Sequence, residues 1–437
     1  MTTGDIAHHG PLRVQQLNLS SQAARRRAAA SRRTLFSNEV LHLEDHLLSP
    51  ERCALVRVTS QPDLLAVYSK QGLAAATFLG QEVARSVRGD SPSHSDLVEG
   101  LAAALAALCR RKRALVGGDT CYRLVHGEAD GFPGLVIDHY DSLVVAQSAN
   151  QQGDFLLPWV FEALRQMFPD TPLLERSASQ SRLQLGLQPR IRAHYGPCPA
   201  QVEVCFAGLT MAFRPERAQK TGLFLDQRQN LRILRDLLSR VAAAAQKPLE
   251  AWTVLDLCCY AGAWSAVASE AGCGRFVLVD QDADALSLAE HNVRGAAPKQ
   301  TLQKGIWIDP RKGDLFQNLG DLRSCDQRFD LVIADPPAFA RSRKNLPEAQ
   351  RAYARLTKMA ARLVRPGGLL VVSSCSRPLE PTAFEQIVAD QLLAPSAPRD
   401  DRRWVLVSRG QQSPDHTLAT GVQGCEYLKA LFYQRIS

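Results

Sequence analysis

The chain has 437 residues, of which 45% are hydrophobic and 22% charged, a composition typical of a globular protein with about two to four domains. Lysine and arginine outnumber the acidic residues by 52 to 44, so the formal net charge is +8, which suits an anionic partner such as nucleic acid. No apolar stretch approaches the roughly 20 residues of a membrane helix, and the 11 cysteines form no C-x-x-C pair, so neither a membrane span nor a metal site is expected.

Residues 1–31 are predicted to form a flexible basic arm. The stretch "PLRVQQLNLSSQAARRRAAASRR" is rich in arginine and serine and contains no acidic residue. Such a segment suits contact with RNA phosphates, and it also has the composition of an organelle transit peptide. The odd number of scattered cysteines fits free thiols in a reducing compartment, so we expect a cytoplasmic protein, with an organelle as the alternative.

Two smaller domains are predicted next along the chain. Short β-leaning runs such as "CALVRVTS" indicate a small β-rich domain over residues 32–96, which ends in a polar hinge, "RGDSPSHSD". An alanine- and leucine-rich helix, from about residue 97 to 110, then opens a central α+β domain over residues 97–215. "PGLVIDHYDSLVVAQ" and "VEVCFAGLTMAFRP" each predict a hairpin within this domain.

Residues 216–437 change character, because strand and helix signals alternate. Continuous apolar runs such as "WTVLDL", "FVLVD", "FDLVIAD" and "GLLVVSS" are each followed by an amphipathic helical pattern. This alternation predicts an α/β domain of the Rossmann-like class, with a parallel sheet covered on both faces. "WVLVS" and "YLKALFYQ" predict a late pair of strands.

Ligands of open α/β sheets bind beyond the carboxyl ends of the strands. Asp256 ends the first strand, and the small-residue turn around Gly262 lets a ligand approach the backbone. Asp280 ends the second strand, about 20 residues beyond the glycine turn, where a ribose diol would be held. Asp314 follows the third strand and is placed to meet an adenine amine. Each of these carboxylates, taken singly, could equally be a helix cap.

The fourth strand ends in "DPPAF", residues 335–339. Pro336 and Pro337 remove two N–H donors, which leaves carbonyls and the Asp335 carboxylate as acceptors beside the ring of Phe339. Acceptors next to an aromatic ring suit a flat heterocycle that bears an amino group. An NAD-type site would explain Asp256, Gly262 and Asp280 but not this loop. A rigid loop with Asp335 as a cap is the structural alternative.

Together these segments resemble a known family. "DLCCYAGAWS", "LVDQD", "KGDLF" and "ADPPAF" look like motifs I to IV of a class I S-adenosylmethionine-dependent methyltransferase. "QKTGLFLDQRQNLRIL", "YRLVHGEADGFPGLVIDHY" and "SSCS" resemble segments of the bacterial large-subunit ribosomal RNA cytosine-C5 methyltransferases of the RlmI type. The resemblance covers about residues 105–437, and it implies that residues 32–96 form a PUA-like RNA-binding domain and residues 216–437 the methyltransferase domain. It also implies S-adenosylmethionine contacts from Lys220, Phe224, Asp226, Arg228, Asp256, Tyr260, Gly262, Asp280, Asp314 and Asp335.

The resemblance further implies a covalent mechanism in which a cysteine thiolate adds to C6 of cytosine, so that C5 becomes nucleophilic. Cys375 is the best candidate because it follows a strand on the cleft side, with Arg377 two residues on to favour the thiolate. Asp335 would bind N3 or the exocyclic amine, and the base that removes the C5 proton is unassigned. Base and phosphate contacts are expected from Pro336, Pro337, Phe339, Arg341, Arg343 and Lys344.

Two other functions remain open at this point. The "DPP" loop also marks methyltransferases that act on an amino or ring nitrogen of adenine or guanine and need no cysteine, in which case Cys375 is a buried structural thiol. A catalytically inactive RNA-binding or ribosome assembly factor would keep the fold without binding S-adenosylmethionine. The expected partner is RNA, most simply the large-subunit ribosomal RNA, and the oligomeric state is open, a homodimer included.

Overall fold

The computed structural model describes residues 12–21, 34–59, 61–71, 74–245, 247–394, 403–420, 422 and 425–436. Its internal contacts divide the chain into two compact units. The first unit comprises the described parts of Met1–Val202, Arg214–Gly222 and Pro414–Cys425. The second unit comprises the described parts of Glu203–Phe213, Leu223–Ser413 and Glu426–Ser437.

The first unit begins with a five-stranded sheet in the order β1-β3-β4-β5-β2. Its first strand corrects the prediction of a flexible arm over residues 1–31, because Val14–Leu17 pairs in parallel with Leu55–Val58. Leu17 is fully buried there, so packing in the core stabilises this short strand. The strand was missed because the neighbouring sequence is strongly basic. Most of the remaining predicted arm lies outside the described residues. The strands are β1 Val14–Leu17, β2 Thr34–Phe36, β3 Cys53–Val58, β4 Gln61–Ser69 and β5 Ala74–Phe78.

A second five-stranded sheet of this unit has the order β10-β9-β8-β7-β6. The long helix in front of it is capped by Ser93, whose hydroxyl accepts from the Asp96 amide while the Asp96 carboxylate accepts from the Ser93 amide. The helix therefore starts inside the predicted polar hinge and extends beyond 97–110 at both ends. The strands are β6 Cys121–His126, β7 Leu135–Tyr140, β8 Val144–Ser148, β9 Leu173–Ser177 and β10 Arg190–Tyr195, and the helices are α1 Gln81–Ser86, α2 His94–Val116, α3 Gln151–Met167 and α4 Gln180–Gln184.

The second unit is built on a seven-stranded sheet in the order β15-β14-β13-β16-β17-β19-β18. The first five strands of this order run parallel, and the last two are antiparallel to their neighbours. This confirms the predicted Rossmann-like sheet and the late strand pair. A hairpin precedes the sheet, and its residues Glu203–Phe213 belong to this unit. The strands are β11 Val202–Phe206, β12 Leu209–Phe213, β13 Thr253–Leu257, β14 Arg275–Asp280, β15 Trp307–Lys312, β16 Phe329–Ala334, β17 Val364–Ser374, β18 Trp404–Gln411 and β19 Lys429–Arg435.

The order of the strands reverses between β13 and β16, and this switch point places two strand ends and a crevice at one edge of the sheet. A core of aliphatic and aromatic side chains from the sheet and its helices fixes the positions of those ends. Over the described residues, no helix has both the length and the apolar character needed to cross a membrane. The helices of the unit are α5 Arg228–Ala245, α6 Ala263–Glu270, α7 Ala283–Ala296, α8 Lys299–Lys304, α9 Leu315–Ser324, α10 Leu346–Ala361 and α11 Pro381–Leu393.

Candidate active site

The turn after β13 has the backbone of a ligand loop. Cys258, Tyr260 and Gly262 all have positive φ, at 62°, 48° and 72°, and such left-handed residues turn successive amides in one direction. Gly262 is required by packing, because a Cβ built on it would lie 2.8 Å from the Cβ of Ala289 in α7. The close approach of α6 and α7 therefore explains this glycine better than contact with a ligand does.

Asp256 lies at the end of β13 and is completely buried. Its Oδ2 accepts a hydrogen bond of 2.7 Å from the Ser265 hydroxyl, whereas Oδ1 has no partner among the described residues. Burial, helped by the charges of Asp335 and Asp280, raises the pKa of Asp256 to about 7, against the Ser265 hydrogen bond that lowers it. The sequence placed Asp256 in direct contact with the cofactor. That contact stays a prediction, because the structure shows only that Asp256 is fully buried at the end of its strand.

Asp280 connects β14 to the loop after β13. Its Oδ2 accepts from the Tyr260 amide at 2.9 Å and its Oδ1 from the Asp282 amide at 3.0 Å. Asp314 caps α9, since its Oδ1 accepts from the amides of Phe316 and Gln317. Both carboxylates lie at the expected strand ends, and Asp280 is only partly buried, so a diol could still reach it.

The segment before α5 supplies side chains to the same crevice. The ring of Phe224 packs 4.9 Å from the ring of Tyr260, centre to centre. Asp226 is buried and its Oδ2 accepts a 2.7 Å hydrogen bond from the Tyr427 hydroxyl. Arg228 is fully buried, with its guanidinium 5.0 Å from the centre of the Phe206 ring, and its contact with the cofactor stays a prediction.

Asp335 follows β16 and is held by donors from two helical segments. Its Oδ2 accepts from Gln227 Nε2 at 2.8 Å and from Trp264 Nε1 at 2.9 Å. Gln227 is oriented in turn, because its Nε2 also reaches the Ser373 hydroxyl and its Oε1 accepts from Asn230. Because the two donors come from different segments, they fix the position of Oδ2 and restrict the rotation of the carboxylate.

The carboxylates of this crevice repel one another. Burial raises the pKa of Asp335, and the charge of Asp226 raises it further, against the hydrogen bonds of Trp264 and Gln227 that lower it. Asp256 experiences the same repulsion from Asp335 and Asp280. S-adenosylmethionine carries a sulfonium and an ammonium group, so a cationic ligand of this kind fits the acidic crevice and the partnerless Oδ1 of Asp256.

Cys375 follows directly after β17, the strand beside β16 in parallel register, so it and Asp335 lie at adjacent strand ends. Its side chain is partly exposed, whereas the flanking serines are buried. The Ser376 hydroxyl contacts the Tyr353 hydroxyl at 3.0 Å and accepts from the Ala340 amide at 3.1 Å. These bonds attach the turn that carries the cysteine to α10 and to the segment after "DPPAF".

The other cysteines near the crevice are poorer nucleophiles. Burial raises the pKa of the Cys258 thiol, and the surrounding carboxylates Asp280, Asp335 and Asp256 raise it further. The pKa of Cys259 is also raised well above its ordinary value by burial. A thiol must ionise to attack carbon, so these two positions are unsuited to that role.

The predicted substrate residues are only partly brought together. Phe339 packs its ring 4.7 Å from Tyr353 and is half-buried, which leaves part of a face for stacking. Pro336 is buried and Pro337 exposed, and the exposed basic residues Arg341, Arg343 and Lys344 follow within one loop. Lys220 belongs to the other compact unit and is exposed, so its contact with the cofactor stays a prediction.

Several residues of the site were missed by sequence reasoning. The predicted carboxylates accept hydrogen bonds from three side chains that are distant in the sequence, Gln227, Trp264 and Tyr427. The local sequence around these residues does not indicate such contacts. Lys429 was visible as a charge at the start of an apolar strand, "YLKALFYQ", and it donates hydrogen bonds into the cysteine turn. A lysine inside a buried strand pattern was the signal that could have identified it.

Comparison with known proteins adds relatives of stated activity. The model of a family of S-adenosylmethionine-dependent methyltransferases matches residues 176–433. An Aeromonas hydrophila protein named ribosomal RNA large subunit methyltransferase I is 33% identical over 316 residues, which cover 72% of this chain and 74% of the relative. A Methanocaldococcus jannaschii protein, for which large-subunit ribosomal RNA methyltransferase activity has been suggested, is 32% identical over 401 residues, covering 89% of this chain and 92% of its own.

Solved structures share the fold. A Streptococcus mutans protein described as an S-adenosylmethionine-dependent methyltransferase superposes with a TM-score of 0.71 at 17% identity, over 96% of this chain and all of its own. Another structure, of a methyltransferase complexed with SAH, gives a TM-score of 0.70 at 17% identity over 97% of this chain and 100% of that one. At this identity the likeness establishes the fold.

Proposed function

This chain belongs to the S-adenosylmethionine-dependent methyltransferases, and from that membership we propose that it forms 5-methylcytosine in large-subunit ribosomal RNA. The substrate is proposed from the names of its relatives, several of which are ribosomal RNA large subunit methyltransferases. The basic balance of the chain suits the same partner. We propose the cytoplasm as its location, where ribosomal RNA is available.

The observation that carries the proposed chemistry is the pairing of a partly exposed cysteine with an oriented carboxylate at adjacent strand ends. Cys375 follows β17 and Asp335 follows β16, and the two strands are hydrogen-bonded neighbours. A thiol and an acceptor that share one edge of a sheet can engage the C6 atom and the amino group of a single cytosine. The base must leave its stack to reach this crevice.

When bound, S-adenosylmethionine supplies an electrophilic methyl group. The Cys375 thiolate forms a bond to C6, and the electrons of the C5–C6 double bond make C5 a nucleophile. C5 would take the methyl group as the bond between that group and the sulfonium sulfur breaks, and the leaving group would be the neutral thioether. Asp335 accepts a hydrogen bond from the exocyclic amine and orients the ring. A base then removes the proton from C5, the double bond re-forms, and the S–C6 electron pair leaves with the thiolate.

The carboxylates would bind the donor by charge and by hydrogen bonding. Asp280 is placed for a ribose diol, and the ring pair Phe224–Tyr260 borders the same loop. Asp226 and Asp335 contribute negative charge toward the sulfonium and the ammonium. Further contacts with the donor are proposed from five residues, Lys220, Arg228, Asp256, Gly262 and Asp314.

The experiment that tests this function compares nucleosides of ribosomal RNA from cells with and without the protein. Mass spectrometry should detect 5-methylcytidine only where the intact chain is present, and the Cys375→Ala variant should not restore it. A missing N-methyladenosine or N-methylguanosine, restored by Cys375→Ala, would support nitrogen methylation through the Asp335-Pro336-Pro337 loop instead. Absence of S-adenosylmethionine binding by calorimetry would identify a non-catalytic RNA-binding factor.

A further inference from the structure

Lys429 lies at the first position of β19 and is only 6% exposed. Its ammonium donates three hydrogen bonds, to the carbonyl oxygens of Ser376 at 2.8 Å, Leu379 at 2.9 Å and Tyr427 at 2.9 Å. Two of these acceptors belong to the turn that begins at Cys375. An ammonium has three donors and no acceptor, so all of its hydrogen-bonding capacity is used here.

This coordination selects the charged form of the lysine. A neutral amine would offer two donors and a lone pair, and the lone pair would face a carbonyl oxygen. Burial lowers the pKa of Lys429 to about 8, against the attraction of Cys375, Glu380 and Glu426, which raises it. The lysine is therefore mostly protonated at neutral pH, although its surroundings are largely dry.

Two ionisable groups that interact electrostatically with Cys375 are Tyr353 and Lys429. Tyr353 interacts electrostatically with Cys375, and burial raises the pKa of this tyrosine to about 12, so it is neutral at physiological pH. Arg377, which the sequence suggested as the thiolate partner, lies over the Tyr427 ring at 5.6 Å from its centre. Lys429 interacts with Cys375 from the neighbouring strand.

We propose that Lys429 is a positioning residue for Cys375, which fixes the turn that carries the thiol and supplies a positive charge that favours the thiolate. Since its three donors are bound to carbonyls, Lys429 acts on the sulfur through space and not through a hydrogen bond. This role rests on the proposed function of Cys375 as the nucleophile. The lysine is neither the acid nor the base of the reaction.

The test measures thiol reactivity directly in the full-length chain. Lys429→Met removes the charge at similar size, Lys429→Arg keeps the charge, and Lys358→Met is the matched control at an exposed lysine of α10. Each protein is treated with iodoacetamide across roughly pH 6 to 9.5, and peptide mapping follows alkylation of Cys375 alone. Near-UV circular dichroism verifies that each variant is folded.

We expect alkylation of Cys375 at pH 7 to be about 10-fold slower in Lys429→Met than in the wild type. This corresponds to a shift of the pH dependence of alkylation by about one unit to higher pH. Lys429→Arg should stay within about 3-fold of the wild type, because a guanidinium keeps the charge. Lys358→Met should not change the rate. The difference between the wild type and Lys429→Met should narrow above pH 8, where Lys429 loses its proton.

A folded Lys429→Met with an unchanged alkylation profile would overturn this inference, as would a Lys429→Arg variant that reacts as slowly as Lys429→Met. Should Lys429→Met fail to fold, the pH dependence of Cys375 alkylation in the wild type decides. Two coupled ionisation steps, from Cys375 and Lys429, support the role, and a single ionisation step contradicts it. The proposed function has a separate test, which is methyl transfer by Cys375→Ala. Full transfer by that variant overturns the proposed function. If Cys375→Ala loses transfer but Lys429→Met has the same alkylation profile as the wild type, only the role of Lys429 is overturned.

Discussion

Replacing Trp264 by phenylalanine should raise the pH at which the enzyme becomes active. The indole Nε1 donates a 2.9 Å hydrogen bond to Asp335 Oδ2. A hydrogen bond to a charged group contributes about 1.5–3 kcal/mol, which corresponds to about 1–2 pKa units at 1.36 kcal/mol per unit. Burial already raises the pKa of Asp335, and the Trp264 hydrogen bond is one of the interactions that lower it.

The sign of the effect follows from which form of Asp335 is needed. Only the ionised carboxylate can accept a hydrogen bond from the exocyclic amine with either oxygen, so activity is lost as pH falls through the pKa of Asp335. As pH is lowered, the variant should lose activity at a pH about 1–2 units higher than the wild type does. Because the pKa of Asp335 is raised in the folded state, its contribution to the free energy of unfolding is lost as pH rises from 3.8, the ordinary pKa of this group, through the folded pKa. The variant should lose stability over a wider pH range than the wild type.

Trp252→Phe is the matched control. Trp252 is as deeply buried as Trp264, but its indole nitrogen has no hydrogen-bond partner among the described residues. Both variants lose similar packing, so both should be less stable, and only Trp264→Phe should move the acid limb of kcat/KM for methyl transfer. An identical acid limb in the two variants would refute the assignment of that limb to Asp335.

Two further substitutions separate packing from ligand binding. Gly262→Ala should destabilise the fold by about 2–4 kcal/mol in urea unfolding, because φ is positive and the new Cβ would clash with Ala289, whereas Gly295→Ala, in open space on a helix, should not destabilise it. Asp314→Ala should cost about 0.5–2 kcal/mol as a lost helix cap, and Ser93→Ala should cost as much. Calorimetry should find weaker S-adenosylmethionine binding, by about 10-fold, in Asp314→Ala alone if Asp314 also contacts the adenine amine.

The strand ends could be predicted from the sequence because parallel strands with helical crossovers bring their carboxyl ends to one edge. This rule places Asp280, Asp335 and Cys375 at strand ends of the same edge, and the sheet order agrees with it. The rule gives the location of a residue but not its exposure. It therefore could not foresee that Asp256 and Arg228 are completely buried.

The missed contacts have a common physical cause, which is that their partners are distant in the sequence. Trp264 and Asp335 are 71 positions apart, and Lys429 and Ser376 are 53 apart. Strand β1 was missed for the same reason, because its partner β3 lies far along the chain, with Val14 opposite Leu55. Local periodicity predicts an element but carries no information about such pairings.

The central claim is that the sulfur of Cys375 forms a bond to the target base. RNA that carries 5-fluorocytosine offers no removable proton at C5, so a covalent adduct, once methylated, cannot release the enzyme. Intact mass measurement after incubation with S-adenosylmethionine and fluorocytosine-substituted large-subunit ribosomal RNA should find a stable protein–RNA adduct, with peptide mapping assigning it to Cys375. Turnover of ordinary RNA without any adduct on the substituted RNA, or an adduct on Cys258 or Cys259, would contradict the account.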